Sequence, residues 1–578
     1  MGHEPHPHDH DHDHHHAPGS SATPAPTRPA LDLSIPDDEL PPGELDRRTF
    51  LRRAGLLGAA GAAIASGSVF TQPAVAANGG PPAHPARGGY RWLAGDHHTH
   101  TQYSPDGVYR VQDQVAHAAA YGLDWLVITD HGSVAHAKIG VERIHPDIVE
   151  ARDAHGDGVL VFQGLEWNIP AAEHGTVFVH PGRHEVDVLK EFENSFDGTV
   201  NGWGDPTAAN ERHALDGLAF LATSVTRGAV PDALFLANHP ARRGVDSPHE
   251  IRGWRDEAPT VAIGMEGAPG HQAAAFAQPY GPGAGRGYYD NAPGPNSFPG
   301  YPPESYLTWG GFDWMTARVG GLWDSLLAEG RPWWITANSD AHWVYLDQVA
   351  RGPGSDFARD GYYQDPVHGG ATPGFGNGDF WPGYYSRTHV GAARFSYAGL
   401  MQGMRAGRMW VDHGGLVDHL DVQVRQAGTR ALGGTLGDVV HVRRGATVEL
   451  VVTVRPASRA NWAQFVPRLA TVDVIAGPVT GPAADRDTIS APGTRVVKTF
   501  DVSGVDGRTG EAQLVWRFRD VAEPFYLRLR GSDGHHRQPG PGGAGVDPAG
   551  PRPDPIGQAD PWDDLWFYTN PVWVLPQR

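Results

Sequence analysis

The chain has 578 residues, a formal net charge of −20 at pH 7 and no cysteine. Without cysteine the fold has no disulfide bonds and no thiolate metal ligand, so a metal site in it must use nitrogen and oxygen donors. The acidic charge argues against nucleic acid as the main partner, because binding to a phosphate backbone normally requires a basic surface. The length is sufficient for a large domain and a second, smaller one.

The first 76 residues predict an export signal ahead of the fold. Residues 1–45 are rich in His, Asp and Pro, a composition that predicts a disordered leader. Residues 46–76 contain Arg47 and Arg48, then a short apolar stretch rich in Ala and Gly, then small residues suited to cleavage before Ala77. This pattern is typical of a twin-arginine signal peptide.

The signal also predicts a partner and a location. We expect the twin-arginine (Tat) export machinery to carry the folded protein into the periplasmic or cell-wall space or the medium, so that it is secreted. No stable membrane insertion is expected after cleavage, because the apolar stretch is short and rich in glycine. An uncleaved membrane anchor is the alternative.

Seven short apolar runs between residues 90 and 340 predict the strands of an α/β fold. Helix-length stretches separate most of them, which is typical of parallel strands buried on both faces. The runs are residues 91–94, 123–129, 158–162, 176–179, 233–236, 260–264 and 333–336. We expect the strands to close into a TIM-like β/α barrel, with the functional residues at their carboxyl ends.

Side chains that bind metals recur near the ends of these runs. His98 and His100 follow the first run, and two residues apart on extended backbone they project to the same side. A lone His-x-His pair is equally explained as a polar strand end, but six strand ends carrying such groups favour a metal site. The other candidates are Asp106, His131, Glu166, His174, His239, Asp340 and His342. Imidazole and carboxylate donors suit Zn, Mn or Fe, and a carboxylate can bridge two ions.

These motifs resemble the PHP (polymerase and histidinol phosphatase) superfamily over residues 90–415. The matching segments are Asp96–Thr101, Ser104–Gly107, Thr129–His131, Glu166, Asn238–Pro240 and Ser339–His342. The resemblance implies a distorted seven-stranded β/α barrel that holds two or three metal ions, in a superfamily made up mostly of phosphoesterases. Three further segments are most similar to the CehA/McbA-type metallohydrolases: Glu166 followed by His174-Gly175, Gly407–Trp410 and Asn570–Val574.

The resemblance implies a role for each candidate ligand. A first ion would be surrounded by His98, His100, Glu166 and Asp340. Glu166 would bridge to a second ion held also by His174 and His239, and a third would face Asp106, His131 and His342. Asp106 stands where many relatives have histidine, and His180 is the alternative to His174. His97 is expected to be structural and Asp130 to orient a ligand imidazole.

The expected chemistry is hydrolysis by metal-activated hydroxide, since ions in such a site lower the pKa of water towards roughly 7. Glu166, Asp340 and His342 are the predicted catalytic residues. His342, Asp106 and His271 are the alternatives for protonating the leaving group. Arg387, Arg242 and Arg243 are candidates for pairing with an anionic substrate, or are ordinary surface arginines.

The rest of the chain predicts a second domain. We expect the metallohydrolase barrel over residues 77–414 and a smaller, β-rich, sandwich-like domain over residues 415–578, because alternating strand patterns replace helix-like stretches there. Residues 280–304 and 352–385 are Gly/Pro-rich insertions that either line a substrate cleft or are surface decoration.

The sequence therefore predicts an exported metal-dependent hydrolase that acts on a small anionic or ester substrate, with phosphoester hydrolysis the first expectation. Hydrolysis of a carbamate or amide, as the CehA/McbA similarity implies, is the alternative. A third hypothesis, of a different class, is a metal-binding or glycan-binding protein without turnover.

Overall fold

The structure is a computed structural model that describes residues 89–370, 372–429, 433–536 and 538–577. The predicted leader (residues 1–45) and signal peptide (residues 46–76) lie outside the described residues. All described residues belong to one compact unit, Gln72–Arg578.

Strands and helices alternate through the first part of the chain. The strands are β1 (Arg91–Asp96), β2 (Trp125–Ile128), β3 (Leu160–Asn168), β4 (His174–Val179), β5 (Ala233–Ala237), β6 (Ala262–Ala268) and β7 (Trp334–Ala337). The helices are α1 (Val111–Ala120), α2 (His136–His155), α3 (Glu185–Phe196), α4 (Gly198–Asn201), α5 (Ala208–Thr226), α6 (Pro248–Glu257), α7 (Trp314–Ala317) and α8 (Leu322–Ala328). Short 3-10 turns cover Gln272–Ala275, Arg286–Tyr288, Pro303–Tyr306 and Pro561–Asp563. Each of the seven predicted runs forms a strand, because its apolar side chains pack into the core.

The seven strands lie side by side in chain order, and all but one are parallel to their neighbours. The exception is β4, which runs antiparallel to both β3 and β5. The expectation that all seven would be parallel is therefore wrong at β4. Only residues 169–173 connect β3 to β4, and so short a link cannot make the crossover that a parallel pair needs. As a result the start of β4, where His174 stands, lies at the same sheet edge as the carboxyl ends of the other strands.

In the described part of the chain, no ladder of hydrogen bonds joins β1 to β7. The barrel closure expected from the sequence is therefore not made in that way. The outer edge of β1 pairs instead with β10 (Ser386–Ala392), which pairs with β11 (Met409–His413). Beyond their carboxyl ends, β1 and β7 meet at one parallel bridge between Thr99 and Ala341.

The outer edge of β7 is covered by side chains. Thr388 Oγ1 accepts from the N–H of Ala337 and donates to its carbonyl oxygen, at 2.8 and 2.7 Å. The amide of Asn570 accepts from the N–H of Ile335 at 2.9 Å and donates to its carbonyl oxygen at 3.3 Å. The backbone N–H and C=O groups on this edge of β7 are therefore hydrogen-bonded although no strand pairs with it.

The later part of the chain is dominated by strands. These are β8 (Val349–Ala350), β9 (Val367–His368), β12 (Val417–Gln426), β13 (Val439–Arg443), β14 (Ala446–Pro456), β15 (Thr471–Pro478), β16 (Arg495–Asp501), β17 (Ala512–Val521), β18 (Phe525–Ser532), β19 (Trp566–Thr569) and β20 (Val572–Gln577), with helices α9 (Phe357–Asp360) and α10 (Tyr397–Arg405). The apolar run 566–574 forms parts of two strands, because Asn570 and Pro571 interrupt it.

Two sheets contain most strands after residue 415. β12, β14 and β17 form a three-stranded antiparallel sheet. β13, β15, β16, β18, β19 and β20 extend the large sheet through the pairing of β19 with β11. This part is β-rich as expected, and the boundary between residues 414 and 415 stays a prediction.

A buried ion pair links β18 to helix α8, which leads into β7. Arg528 donates to both carboxylate oxygens of Asp324 at 2.8 Å, and both side chains are fully buried. We expect Asp324→Ala to destabilise the protein by about 3–5 kcal/mol, because it leaves the guanidinium buried without its counter-charge. Urea denaturation measures this effect. Arg508→Ala, which breaks the exposed pair with Asp506, is the control and should leave the midpoint unchanged; equal midpoints for both variants would contradict the prediction.

Candidate metal centre

The carboxyl ends of the strands and the start of β4 bring all nine predicted ligand residues together. Groups of three or four of them place nitrogen or oxygen atoms within 4.8 Å of one another. The groups overlap, so that Glu166, Asp340, His100, His174 and His342 each belong to more than one. The nine are His98, His100, Asp106, His131, Glu166, His174, His239, Asp340 and His342.

The first group surrounds the ends of β1 and β7. The Nε2 atoms of His98 and His100 are 3.0 Å apart, and Asp340 Oδ1 is 3.1 Å from each. Glu166 places Oε1 3.1 Å from His98 Nε2 and Oε2 3.2 Å from His100 Nε2. These side chains are almost completely buried. Four side chains therefore direct donor atoms into one small, enclosed space.

A hydrogen bond at Nδ1 of three histidines determines that their Nε2 atoms face the donor cluster. Glu266 Oε1 accepts from His98 Nδ1 at 2.7 Å, and the backbone carbonyl of Asp340 accepts from His342 Nδ1 at 2.9 Å. Ser104 Oγ donates its one proton to Asp106, so it must accept from His100 Nδ1, 3.1 Å away. With Nδ1 protonated in all three rings, each neutral imidazole presents the lone pair of Nε2.

The second group lies around the same two carboxylate oxygens of Glu166. Glu166 Oε1 is 3.3 Å from both His174 Nδ1 and His239 Nε2, and its Oε2 is 2.9 Å from His131 Nε2. The alternative residue, His180, follows the opposite end of β4, where its Nδ1 hydrogen-bonds to the carbonyl of Pro181. The antiparallel direction of β4 thus brings His174, and not His180, to the cluster.

The third group is the most open to solvent. Asp106 Oδ2 lies 3.3 Å from His342 Nε2 and 3.6 Å from His131 Nε2. The Asp106 side chain is 47% exposed, whereas those of His342 and His131 are 11% and 13% exposed. This group forms the outer part of the cluster, on the side that a substrate can approach.

The donor atoms fit divalent metal ions. Ligands at about 2.0–2.1 Å from one ion lie roughly 3.0–3.4 Å from each other, which is the spacing found around Glu166 and Asp340. Asp340 Oδ1, His174 Nδ1 and His239 Nδ1 are buried and have no hydrogen-bond partner. A buried polar atom without a partner is unfavourable unless something else binds it, and a cation would do so.

The electrostatics of the cluster also favour a cation. Burial opposes the charge on Glu166, but the imidazoles of His131, His98 and His174 outweigh it and hold the pKa of Glu166 well below its usual range. Burial likewise opposes protonation of His98, but the carboxylates of Asp340, Glu166 and Glu266 raise its pKa well above the usual value. The carboxylates therefore stay ionised and attract positive charge to this space.

Three residues of the site have an unusual backbone conformation. His239, His271 and Asp340 have φ values of 28°, 51° and 48°, in the left-handed region that side chains other than glycine rarely adopt. Each such residue costs on the order of 1–3 kcal/mol and persists where the surrounding structure enforces it. The strained backbone at these three residues therefore lowers the stability of the fold, and it sets the direction of their side chains.

The structure also shows the positions of His97 and Asp130, which were expected near the ligands. His97 is buried between Thr176 Oγ1 and Thr336 Oγ1, at 3.1 and 2.8 Å, which is a structural placement. The expectation that Asp130 orients an imidazole is not met, because its carboxylate accepts from the backbone and side chain of Thr101 instead.

The three candidate arginines differ in position. Arg387 donates to the carbonyls of Gly383 and Tyr121, away from the cluster. Arg242 donates to Glu173 at the inner side of the second group. Arg243 lies 3.6 Å from the same carboxylate and its side chain is 42% exposed.

Some residues of the site were not predicted. Glu173 forms a group with His174 and His239, and Glu266 binds both His98 and, through Oε2, the N–H of His239 at 2.6 Å. Asp379 binds His271 from the second insertion. In the sequence, Glu266 is only a carboxylate that follows the apolar run 260–264. No motif marks Glu173 or Asp379 in the sequence.

Comparisons with known proteins agree with the sequence motifs. Residues 96–234 match the family model of the PHP domain. This segment runs from the end of β1 into β5 and contains six of the nine predicted ligands, all but His239, Asp340 and His342. Comparison with curated proteins finds no match.

Three solved structures are similar to parts of the chain. A two-domain protein from Bacteroides vulgatus containing a predicted PHP-like metal-dependent phosphoesterase has 13% identity and a TM-score of 0.30, covering 78% of this chain and 100% of that one. A protein from Bifidobacterium adolescentis assigned as a metal-dependent phosphoesterase has 17% identity and a TM-score of 0.17, covering 30% and 76%. The lesion-specific endonuclease Q from Pyrococcus furiosus has 14% identity and a TM-score of 0.19, covering 32% and 45%.

The position of Glu266 generates a prediction about metal affinity. Glu266→Gln weakens the acceptor for His98 Nδ1, and loss of such an orienting carboxylate typically lowers metal affinity 10–100-fold. Competition with a chromogenic chelator measures the affinity. Glu193→Gln is the matched control, because Glu193 is a buried carboxylate paired with His136 at 2.8 Å outside the cluster. Unchanged affinity in Glu266→Gln would show that Glu266 does not orient a ligand.

Proposed function

We propose that this chain is an exported hydrolase that uses two or three divalent metal ions, Zn, Mn or Fe, to cleave a phosphoester. The position of Glu166 carries the proposal. Its two carboxylate oxygens face different histidines, with His98 and His239 near Oε1 and His100 and His131 near Oε2. A carboxylate placed in this way can bridge two ions. The PHP match over residues 96–234 supports the assignment.

The residues present would hold the ions in overlapping groups. His98, His100, Glu166 and Asp340 would form one group, His174 and His239 would complete a second around Glu166, and Asp106, His131 and His342 would form a third. Ions bound there lower the pKa of water and neutralise charge on the substrate oxygen. The seven strands and the bridge between Thr99 and Ala341 support the distorted barrel that the PHP resemblance implies.

The chain's own residues would then position the reaction. Glu166 and Asp340 keep the histidines of different strands within reach of one space, and their burial excludes bulk water from it. Asp106 and His342 stand at the open side, where a leaving group would lie, and without a third ion the imidazole of His342 beside the Asp106 carboxylate can hold a proton there. Arg243, with an exposed side chain beside the second group, would attract an anionic substrate.

The proposed location rests on the sequence. The twin-arginine pattern at residues 46–76 supports export through the Tat machinery to the periplasmic or cell-wall space or the medium. Among the described residues, every helix is too short or too polar to span a bilayer. The net charge of −20 supports a small substrate over nucleic acid.

A carbamate or amide substrate is the second candidate, and the CehA/McbA similarity favours it. That similarity includes the segment from Asn570, whose amide covers the edge of β7 at Ile335. The same donor set would serve either reaction, because both need an activated water and a stabilised oxyanion.

A substrate panel separates these candidates. We expect protein reconstituted with Mn, Fe or Zn to hydrolyse phosphomonoesters or phosphodiesters, with aryl carbamates cleaved more slowly. Glu166→Ala is the control for contaminating phosphatases and should lose at least 100-fold in rate, since the group removed contacts both sets of histidines. Cleavage of carbamates alone would support the second candidate, and no turnover on any substrate would support a binding protein.

A further inference from the structure

His271 reaches the metal centre from a loop in which no ligand was assigned. It follows β6 by three residues, and its backbone N–H donates to the carbonyl of Ser339 at 3.2 Å. Gly270 allows this close approach, because a Cβ there would lie 2.2 Å from Cβ of Asp340. The φ of 51° at His271 then turns the ring towards Asp340. The loop is thus shaped to deliver this imidazole.

Asp379 fixes the orientation of the His271 ring. Its Oδ1 accepts from His271 Nδ1 at 2.5 Å. Its Oδ2 accepts from the N–H groups of His342 and Trp343, at 2.6 and 2.7 Å, so that both oxygens are occupied. Because a carboxylate only accepts, Nδ1 of His271 carries a proton, so Nε2 is the ring nitrogen that remains to bind an ion on the other side.

Nε2 of His271 faces a second carboxylate. His271 Nε2 lies 2.8 Å from Asp340 Oδ2, while Asp340 Oδ1 faces His98 and His100. His271, Asp340 and His342 form a group whose donor atoms lie within 4.8 Å of one another. Two electron-rich atoms at this distance repel unless a positive charge lies between or beside them. A divalent ion bound by both atoms would supply it.

We propose that His271 is a further metal ligand, that Asp379 holds its ring in place, and that Asp340 bridges two ions through its two oxygens. The inference rests on the proposed metal-dependent function and extends its ligand set. It also gives the second insertion, residues 352–385, a role, because the orienting carboxylate comes from that segment.

The test uses His271→Gly in the mature protein. Glycine accepts the left-handed backbone of this position, so the substitution removes the ring without adding strain. We expect the affinity for the weakest bound Zn²⁺ ion to fall 10–100-fold by chelator competition, and added imidazole to restore it by filling the space left by the ring. Circular dichroism checks that the variant is folded.

His389→Gln is the matched control. His389 is 12% exposed and is bound to a carboxylate, Asp412, at 2.8 Å, much as His271 is 11% exposed and bound to Asp379. It should keep the affinity of the parent protein. Equal affinity of His271→Gly and the parent, or a loss that imidazole does not restore, would overturn the inference and place a proton between His271 and Asp340. Failure of the parent protein itself to bind Zn²⁺ would instead contradict the proposed function.

Discussion

The candidate metal centre depends on a clasp, a small set of hydrogen bonds, between the ends of β1 and β7. Two backbone hydrogen bonds form it, from Asp340 to the carbonyl of His98 at 3.0 Å and from His100 to the carbonyl of Ala341 at 3.1 Å. Asp96 adds its carboxylate, which accepts from the N–H groups of His98 and Ser339 at 3.0 and 2.9 Å. Because these contacts join strands that have no ladder between them, they set the distance between the histidines of β1 and the ligands that follow β7.

A second constraint is the reversed strand β4. The short link after β3 folds the chain back, so that Glu166 within β3 and His174 at the start of β4 face the same space. Glu166 consequently contacts histidines from both sides, and its buried carboxylate joins two groups of donors.

Much of this arrangement could be predicted from the sequence. The parts that could not be predicted have physical causes. Apolar runs predicted all seven strands, since burial on both faces excludes polar residues from them. Ligand types near the run ends predicted which side chains meet. The direction of β4 is not encoded in its own residues but in the length of the link before it. Glu173 and Asp379 lie on loops, where contacts depend on tertiary packing and no periodic pattern marks them. His271, also on a loop, was predicted only as a candidate proton donor.

The measurement that bears most directly on the central claim is the metal content of the folded protein. Elemental analysis after reconstitution and removal of loosely bound ions should give two or three transition-metal ions per chain, because the overlapping donor groups share Glu166 and Asp340. Anomalous diffraction from crystals of the same sample should place them beside these two carboxylates. Less than one tightly bound ion per chain would contradict a multinuclear centre.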